Sequence, residues 1–289
     1  MIKNLLKTKK GILFSLLTAF LVLPLFFYSS HFLQVSKDTE EHIATLNMAD
    51  KSQFISSQIG TMYLHLLGMQ INDSNTNATA TTLTITNVTT LGPTSNLAGK
   101  LLLLQQVTED MLANYSNMGI VVLSSDSSFR IDPYGLFMIN DSEIRIEFFN
   151  ASSIKKINVQ VRALEDKNIS QGYPNNDGSN YPLIQFITKR ADKTEVFAVN
   201  RTLNPTEYNA PLYQNFNLSG VIENVSLTFG QIDGTSGVLL LQSPSFSTEV
   251  QSITFVFDPS KYLTITSGIN ISLYGSHLSK NALILLYTS

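Results

Sequence analysis

Lys3, Lys7, Lys9 and Lys10 crowd the first ten residues without a single acid, and the stretch that follows, Gly11–Tyr28 (GILFSLLTAFLVLPLFFY), carries no charge at all. No other feature of the chain constrains it as tightly. Eighteen residues in a helix rise ~27 Å, close to the hydrocarbon thickness of a bilayer. Beyond the apolar run come Lys37, Asp38, Glu40 and Glu41, so the positive charge is concentrated on the N-terminal side. Charge of this kind stays in the cytoplasm. The expected topology is a single-pass anchor with a cytoplasmic N-terminus, membrane lipid as the partner of Gly11–Tyr28, and everything downstream outside the cell. A cleaved secretory signal is the alternative, but Tyr28-Ser29-Ser30 stands where a small-residue cleavage site belongs. Both readings export the remainder of the chain.

Past the apolar run the pattern turns amphipathic. Ile43, Leu46, Phe54, Ile55, Ile59, Met62, Leu66 and Met69 fall mostly three or four apart, with Glu41, Asp50, Lys51 and Gln58 between them. That spacing is one stripe of a helix. Few breakers interrupt it, so the anchor and this stalk are expected to form one helix of roughly 60 residues, about 90 Å long. Pro24 removes one backbone donor and is expected to kink the helix.

A basic leader ending in Lys9-Lys10-Gly11, an apolar helix directly after that glycine and an amphipathic continuation into a β-rich head resemble type IV pilin-like surface proteins, the archaeal ones in particular. The resemblance covers about the first 70 residues. It implies cleavage after Gly11, with Ile12 as the first mature residue, and self-assembly or contact with pilus subunits through the helix. Bacterial pilins usually carry Glu as the fifth mature residue. Here that position is Leu16, a departure that archaeal members often share.

The exported part begins with a Thr-, Asn- and Ser-rich segment that contains TTLTITNVTT (Thr81 to Thr90), either a first strand or a glycosylated linker. Leu97 to Met118 reads as a second helix, with Leu101, Leu104, Val107, Met111 and Leu112 as its apolar face and Gly119 as its C-terminal cap. From there alternation replaces the helical period. Strands are expected at Ile120–Ser124, Leu136–Ile139, Glu143–Phe149, Ile157–Ala163, Leu183–Thr188 and Glu195–Asn200. Further ones are expected at Val221–Phe229, Val238–Gln242, Ser252–Phe257, Tyr262–Thr266, Ile269–Tyr274 and Ala282–Tyr287. Glu143-Ile144-Arg145-Ile146-Glu147-Phe148 alternates charged and apolar residues, as a sheet with one wet face requires. Asp233-Gly234 marks a hairpin turn. The expected fold is α+β: a long N-terminal membrane and stalk helix, then a mainly antiparallel, jelly-roll-like β-sandwich head. The expected segments are 1–30 (leader and transmembrane helix), 31–71 (stalk), 72–118 (Thr/Asn-rich segment and second helix) and 119–289 (sandwich).

The surface chemistry fits an exported head. Charged residues make up 14% of the chain, well below the ~25% usual in soluble domains, and Ser, Thr and Asn fill the difference. Asn-x-Ser/Thr occurs at Asn72, Asn77, Asn87, Asn114, Asn140, Asn150, Asn168, Asn200, Asn217, Asn224 and Asn270, and nowhere in the first 71 residues. Composition alone yields about five such tripeptides. The excess makes these asparagines candidates for N-glycosylation at exposed backbone.

Enzyme chemistry finds little to work with. There is no cysteine, so thiolate nucleophiles and cysteine-ligated metals are excluded. His31, His42 and His65 lie in the helical region and His277 stands alone, so no HExxH or His-x-His metal motif exists. Glu143 and Glu147 are the best carboxylate pair for glycoside chemistry, but their alternation reads as a solvated strand face. Asn175 to Asn180 has oxygen ligands around Gly178 without the spacing of a calcium loop. A net charge of −3 gives no basic face for nucleic acid. Tyr173, Tyr181, Tyr208 and Tyr213 cluster in the loop-rich middle, where exposed tyrosine suits stacking on a sugar or anchoring a protein. The chain is therefore expected to be a non-enzymatic, membrane-anchored surface protein with no cofactor and no metal, either a pilin-like subunit or minor pilin. A monomeric anchored adhesin or carbohydrate-binding module, with a surface glycan or protein as ligand, is the second reading, and an anchored hydrolase the third.

Overall fold

The computed structural model describes residues 2–67, 70–74, 80–112, 114, 119–164, 168–172, 181–192, 196–218, 221–259, 262–274 and 279–288, with side-chain environments in the first helix given from Val22 onward. The chain is α+β, with an N-terminal helix and a β-rich region of antiparallel sheets. It divides into two compact units, Met1–Gln53 and Phe54–Ser289.

Helix α1 spans Ile2–Leu67 and continues through Pro24. In the first unit its described apolar side chains are exposed, among them Leu25, Phe26, Phe27, Phe32, Leu33 and Leu46. Among the described residues no helix is long and apolar enough to cross a membrane. Of the uncharged run, Val22–Tyr28 alone falls among the described side chains.

In the second unit the same helix joins a core. Ile55, Ile59 and Tyr63 are each 0% exposed, and their spacing of four places them on one face. Gly60 permits close approach of the last strand, because a Cβ there would lie 2.9 Å from the carbonyl oxygen of Leu285 and 3.3 Å from Cγ2 of Ile284. The Tyr63 hydroxyl sits 3.2 Å from the carbonyl oxygens of both Asp126 and Ser128, to which it donates. Burial, reinforced by the nearby Asp126 charge, raises its pKa well above the ordinary tyrosine value. The sequence stripe is corrected here: Phe54 is exposed and Met62 half-buried, while Tyr63 is the third buried contact. An aromatic ring with a polar tip escapes a purely apolar pattern.

The first sheet contains β1 (Gln70–Ser74), β2 (Thr81–Leu91), β7 (Ile154–Ala163), β9 (Leu183–Lys189), β10 (Val196–Thr202) and β14 (Thr248–Phe257), in the order β1-β2-β14-β7-β9-β10. The second contains β3 (Gly119–Ser124), β4 (Ser128–Asp132), β5 (Gly135–Ile139), β6 (Glu143–Phe148) and β8 (Asn168–Gly172). Its other members are β11 (Leu212–Leu218), β12 (Val221–Ile232), β13 (Thr235–Gln242), β15 (Thr264–Tyr274) and β16 (Ser279–Thr288). Their order is β16-β15-β4-β5-β6-β13-β12-β11-β8, with β3 also on β15. Every described pair is antiparallel except β7 with β9, where Ile157 lies opposite Ile184 in a parallel register.

Alternation governs burial as the sequence pattern requires. On β6, Ile144, Ile146 and Phe148 are buried while Glu143, Arg145 and Glu147 face outward. Each such apolar side chain contributes about 1.5–3 kcal/mol on burial. Arg145 is held at 2.8 Å by Glu147 and at 2.9 Å by Asp233, and those hydrogen bonds, Asp233 first, raise its pKa. Rings from the two sheets meet inside the core. Phe148 of β6 lies 5.8 Å from Phe255 and 6.1 Å from Phe257, both on β14. Tyr134, between β4 and β5, stacks on Phe257 at 3.8 Å.

Several expectations need correction. Of the two readings left open for Thr81 to Thr90, the strand is the one observed, paired on both sides by β1 and β14. Of the expected second helix Leu97–Met118, α2 covers Leu97–Val107 and passes into a π-helical turn at Thr108–Leu112, while residues 113 and 115–118 lie outside the described residues. That turn is drawn onto β3, where the Glu109 carboxylate accepts from the Val122 amide at 3.1 Å. Gly119 is the first residue of β3. Tyr262–Thr266 and Ile269–Tyr274 are one strand, β15, interrupted by a register shift between Thr266 and Asn270. Strands β1, β4, β8 and β11 were not anticipated.

Candidate functional site

Four neighbouring strands of the first sheet, β14, β7, β9 and β10, end or begin side by side. Phe257 pairs with Ile154, Lys156 with Leu183, and Leu183 with Thr202. The parallel β7–β9 pair brings two strand starts together, so the segments beyond this row converge on one end of the sheet. They enclose a cleft of about 570 Å³ lined by Ser152, Lys155, Tyr181, Asn204, Thr206 and Asp258, with Ala151, Ile154, Pro182 and Pro205 supplying apolar surface.

Each polar group there is positioned by a local reason. Asn150 caps the short 3-10 turn Ala151–Ser153, its Oδ1 accepting from the Ser152 amide at 3.2 Å and the Ser152 hydroxyl at 2.6 Å. Asn204 Oδ1 accepts from the amide and hydroxyl of Thr206 at 3.0 and 2.9 Å. Its Nδ2 donates to the Tyr181 hydroxyl at 3.2 Å. From beneath, the buried Asn209 donates Nδ2 to the carbonyls of Asn204 and Phe229, at 2.7 and 2.8 Å. On the opposite wall, Lys155 Nζ lies 3.0 Å from Asp258 Oδ1. The Asp258 backbone is tied to the core, its amide donating to Ser153 at 2.8 Å and its carbonyl accepting from the Tyr134 hydroxyl at 2.9 Å.

The residues singled out from sequence are distributed as follows. Gly11 and Ile12 lie within α1, upstream of the described side chains. Among the sequons with a described environment, Asn87, Asn114, Asn140, Asn150, Asn200 and Asn224 are exposed and Asn270 is half-buried on β15. Asn87 adopts a φ of 52° beside the β2–β14 bulge, a conformation asparagine tolerates better than most residues. Asn140, like Asn150, accepts from the hydroxyl of its own Ser two residues on, at 3.2 Å. Asn72, Asn168 and Asn217 lie on β1, β8 and β11, with no side-chain environment described, and Asn77 lies outside the described residues.

Among the described residues the other chemical candidates are not brought together. Glu143 is engaged by Asn140 and Gln242 at 3.1 and 3.0 Å, and Glu147 by Arg145, so the pair is held within the strand face. Among the described residues no group of His, Asp or Glu could hold a metal ion. Asn175 to Asn180, Tyr173 and His277 lie outside the described residues. Of the tyrosine cluster, Tyr181 lines the cleft, Tyr208 is exposed two residues after Thr206, and Tyr213 sits on β11 in the other sheet. Sequence reading missed Lys155, Asn204 and Asp258, which lie far apart in the chain and carry no local motif. No protein-family model, curated protein or solved structure matches the chain.

Proposed function

We propose that the chain is a non-enzymatic, membrane-tethered surface protein, with its N-terminus cytoplasmic, that displays its β-rich head outside the cell as a pilin-like filament subunit or minor pilin. One observation carries this reading: the apolar side chains of α1 are exposed from Val22 to Leu46, whereas Ile55, Ile59 and Tyr63 are buried in the second unit. An exposed apolar stretch of that length needs lipid or a neighbouring helix to cover it. The basic start and the uncharged run that precede it favour lipid, and the leader pattern at Gly11 favours assembly after processing.

We further propose that the two sheets pack face to face as a sandwich. Support comes from the aromatic contacts of Phe148 with Phe255 and Phe257, and from a chain that passes repeatedly between the sheets. The parallel β7–β9 pair sits poorly with a jelly roll, in which neighbouring strands run antiparallel. Exposed sequons then decorate the outer surface, where glycans would solvate a face poor in charge.

The test is the N-terminal residue of the protein recovered from native membranes, read by mass spectrometry. A start at Ile12 is the expected result. A start at Met1 would remove the filament reading and leave a plain anchor, and a start beyond Ser30 would overturn both.

A further inference from the structure

We propose that the cleft at the end of β14, β7, β9 and β10 is a binding site for a neutral saccharide. Its size of about 570 Å³ falls within the ~300–1,000 Å³ of small-ligand sites. Its lining has the mixed character a sugar demands. Pro182, Pro205, Ile154 and Ala151 present apolar surface to the C–H faces of a pyranose, and Tyr181, 43% exposed, adds an aromatic ring. Ser152, Thr206, Asn204, Lys155 and Asp258 add donors and acceptors for its hydroxyls.

Charge selects within that class. Lys155 lies 3.0 Å from Asp258, so the pair contributes no net charge to the cleft. Among the described lining residues Lys155 is the one cation, so a phosphate or sulfate would have to compete with Asp258 for it. A cation would meet Lys155. A neutral polyol meets neither obstacle, and charged partners give its hydroxyls stronger hydrogen bonds than neutral ones do.

The site is also built in advance. Asn204 is fixed by Thr206 and Tyr181 and held from below by Asn209, which is 4% exposed. Because Asn204 Nδ2 donates to the Tyr181 oxygen, the tyrosine O–H proton remains to be donated to a ligand. The Asp258 wall is tied to Ser153 and Tyr134. Side chains already immobilised lose little entropy on binding.

The saccharide has two possible sources: a glycan of the surroundings, or a glycan carried by the sequons of a second copy of this chain. The inference stands whether or not the leader is cut, so its failure and that of the filament reading are separable. The experiment uses the full-length protein in detergent, titrated with neutral hexose and N-acetylhexosamine disaccharides and with a sulfated disaccharide as charge control. Binding is read by isothermal calorimetry. The expected result is a Kd on the order of 0.1–1 mM for at least one neutral sugar, with weaker binding of the sulfated one. Tyr181→Ala should weaken it at least tenfold, and Lys155→Met should weaken it without changing the circular dichroism spectrum. Self-association that is lost both on enzymatic deglycosylation and on adding free disaccharide assigns the ligand to a second copy. Binding that persists after deglycosylation, without self-association, assigns it to the surroundings. No heat with any neutral sugar at 10 mM (roughly ten times the weakest expected Kd), binding indifferent to Tyr181→Ala, or preference for the sulfated sugar would each overturn the proposal.

Discussion

The two ends of α1 are made of similar residues and meet opposite fates. Phe32, Leu33 and Leu46 are exposed, while Ile55, Ile59 and Tyr63 are wholly buried a few turns on. The proximal stretch is apolar on every side only over Val22–Tyr28 and carries apolar residues among polar ones beyond it, and the helix has nothing in its own unit to bury them against. The distal stretch confines its burial to one face, where Gly60 removes the Cβ that would strike β16. A helix can therefore be core at one end and a surface awaiting a partner at the other, and the difference lies in what each end is shaped to meet.

Charge placed at each end gives the largest expected contrast. Ile59→Asp should destabilise the β-rich unit by about 3 kcal/mol or more, because it buries a carboxylate without a partner. Phe32→Asp should leave that stability within about 0.5 kcal/mol while reducing recovery in the membrane fraction. Urea unfolding followed by near-UV circular dichroism measures both. Equal losses at the two positions would break the comparison.

Gly60→Ala sharpens it further. At an exposed helix position this exchange gains up to ~1 kcal/mol. Here the 2.9 Å approach to the Leu285 carbonyl reverses the sign, and a loss of about 1–3 kcal/mol is expected, seen as a lowered Tm.

Tyr63→Phe should cost about 1 kcal/mol at neutral pH through the lost hydrogen bond. It should also change the alkaline profile. The hydroxyl's pKa is raised in the folded protein above its ordinary value of 10.0. Its stabilising effect is thus complete below pH 10 and is lost as pH rises beyond it. The wild type should weaken there, and Tyr63→Phe should lose less, as measured by stability against pH.

The smallest effect lies at the start of α2, where Asp141 Oδ1 accepts from the Leu97 amide at 2.9 Å. That bond, then one from the Ser95 side chain, lowers the Asp141 pKa below its ordinary 3.8. The contribution is present above that value and lost as pH falls below it. Asp141→Asn should cost about 0.5 kcal/mol at neutral pH and flatten the acid limb of the profile.

Strands with a clean period of two, such as Glu143–Phe148, were legible, and so was the Asp233-Gly234 turn, whose residues take φ of 52° and 81°. Polar strands were not. Gln70–Ser74, Asn168–Gly172 and Leu212–Leu218 are rich in Asn and Gln and sit at or beside sheet edges, and their sequences carry no clean apolar alternation. Among the sequons with a described environment, all but Asn270 are exposed. The cleft was not legible, since residues near positions 152, 181, 204 and 258 converge only through the parallel pairing of β7 with β9. Tyr181 alone carried a signal, as one of the tyrosines clustered in the sequence, of which Tyr213 sits on the other sheet.

The most direct test of the divided helix is limited proteolysis of the protein in native membranes, with the resistant fragment identified by mass spectrometry. The account predicts a soluble, folded fragment that begins between Phe32 and Gln53 and retains Ile55, Ile59 and Tyr63. A folded fragment that begins beyond Tyr63, or one that starts in the predicted window yet stays with the lipid, would contradict it.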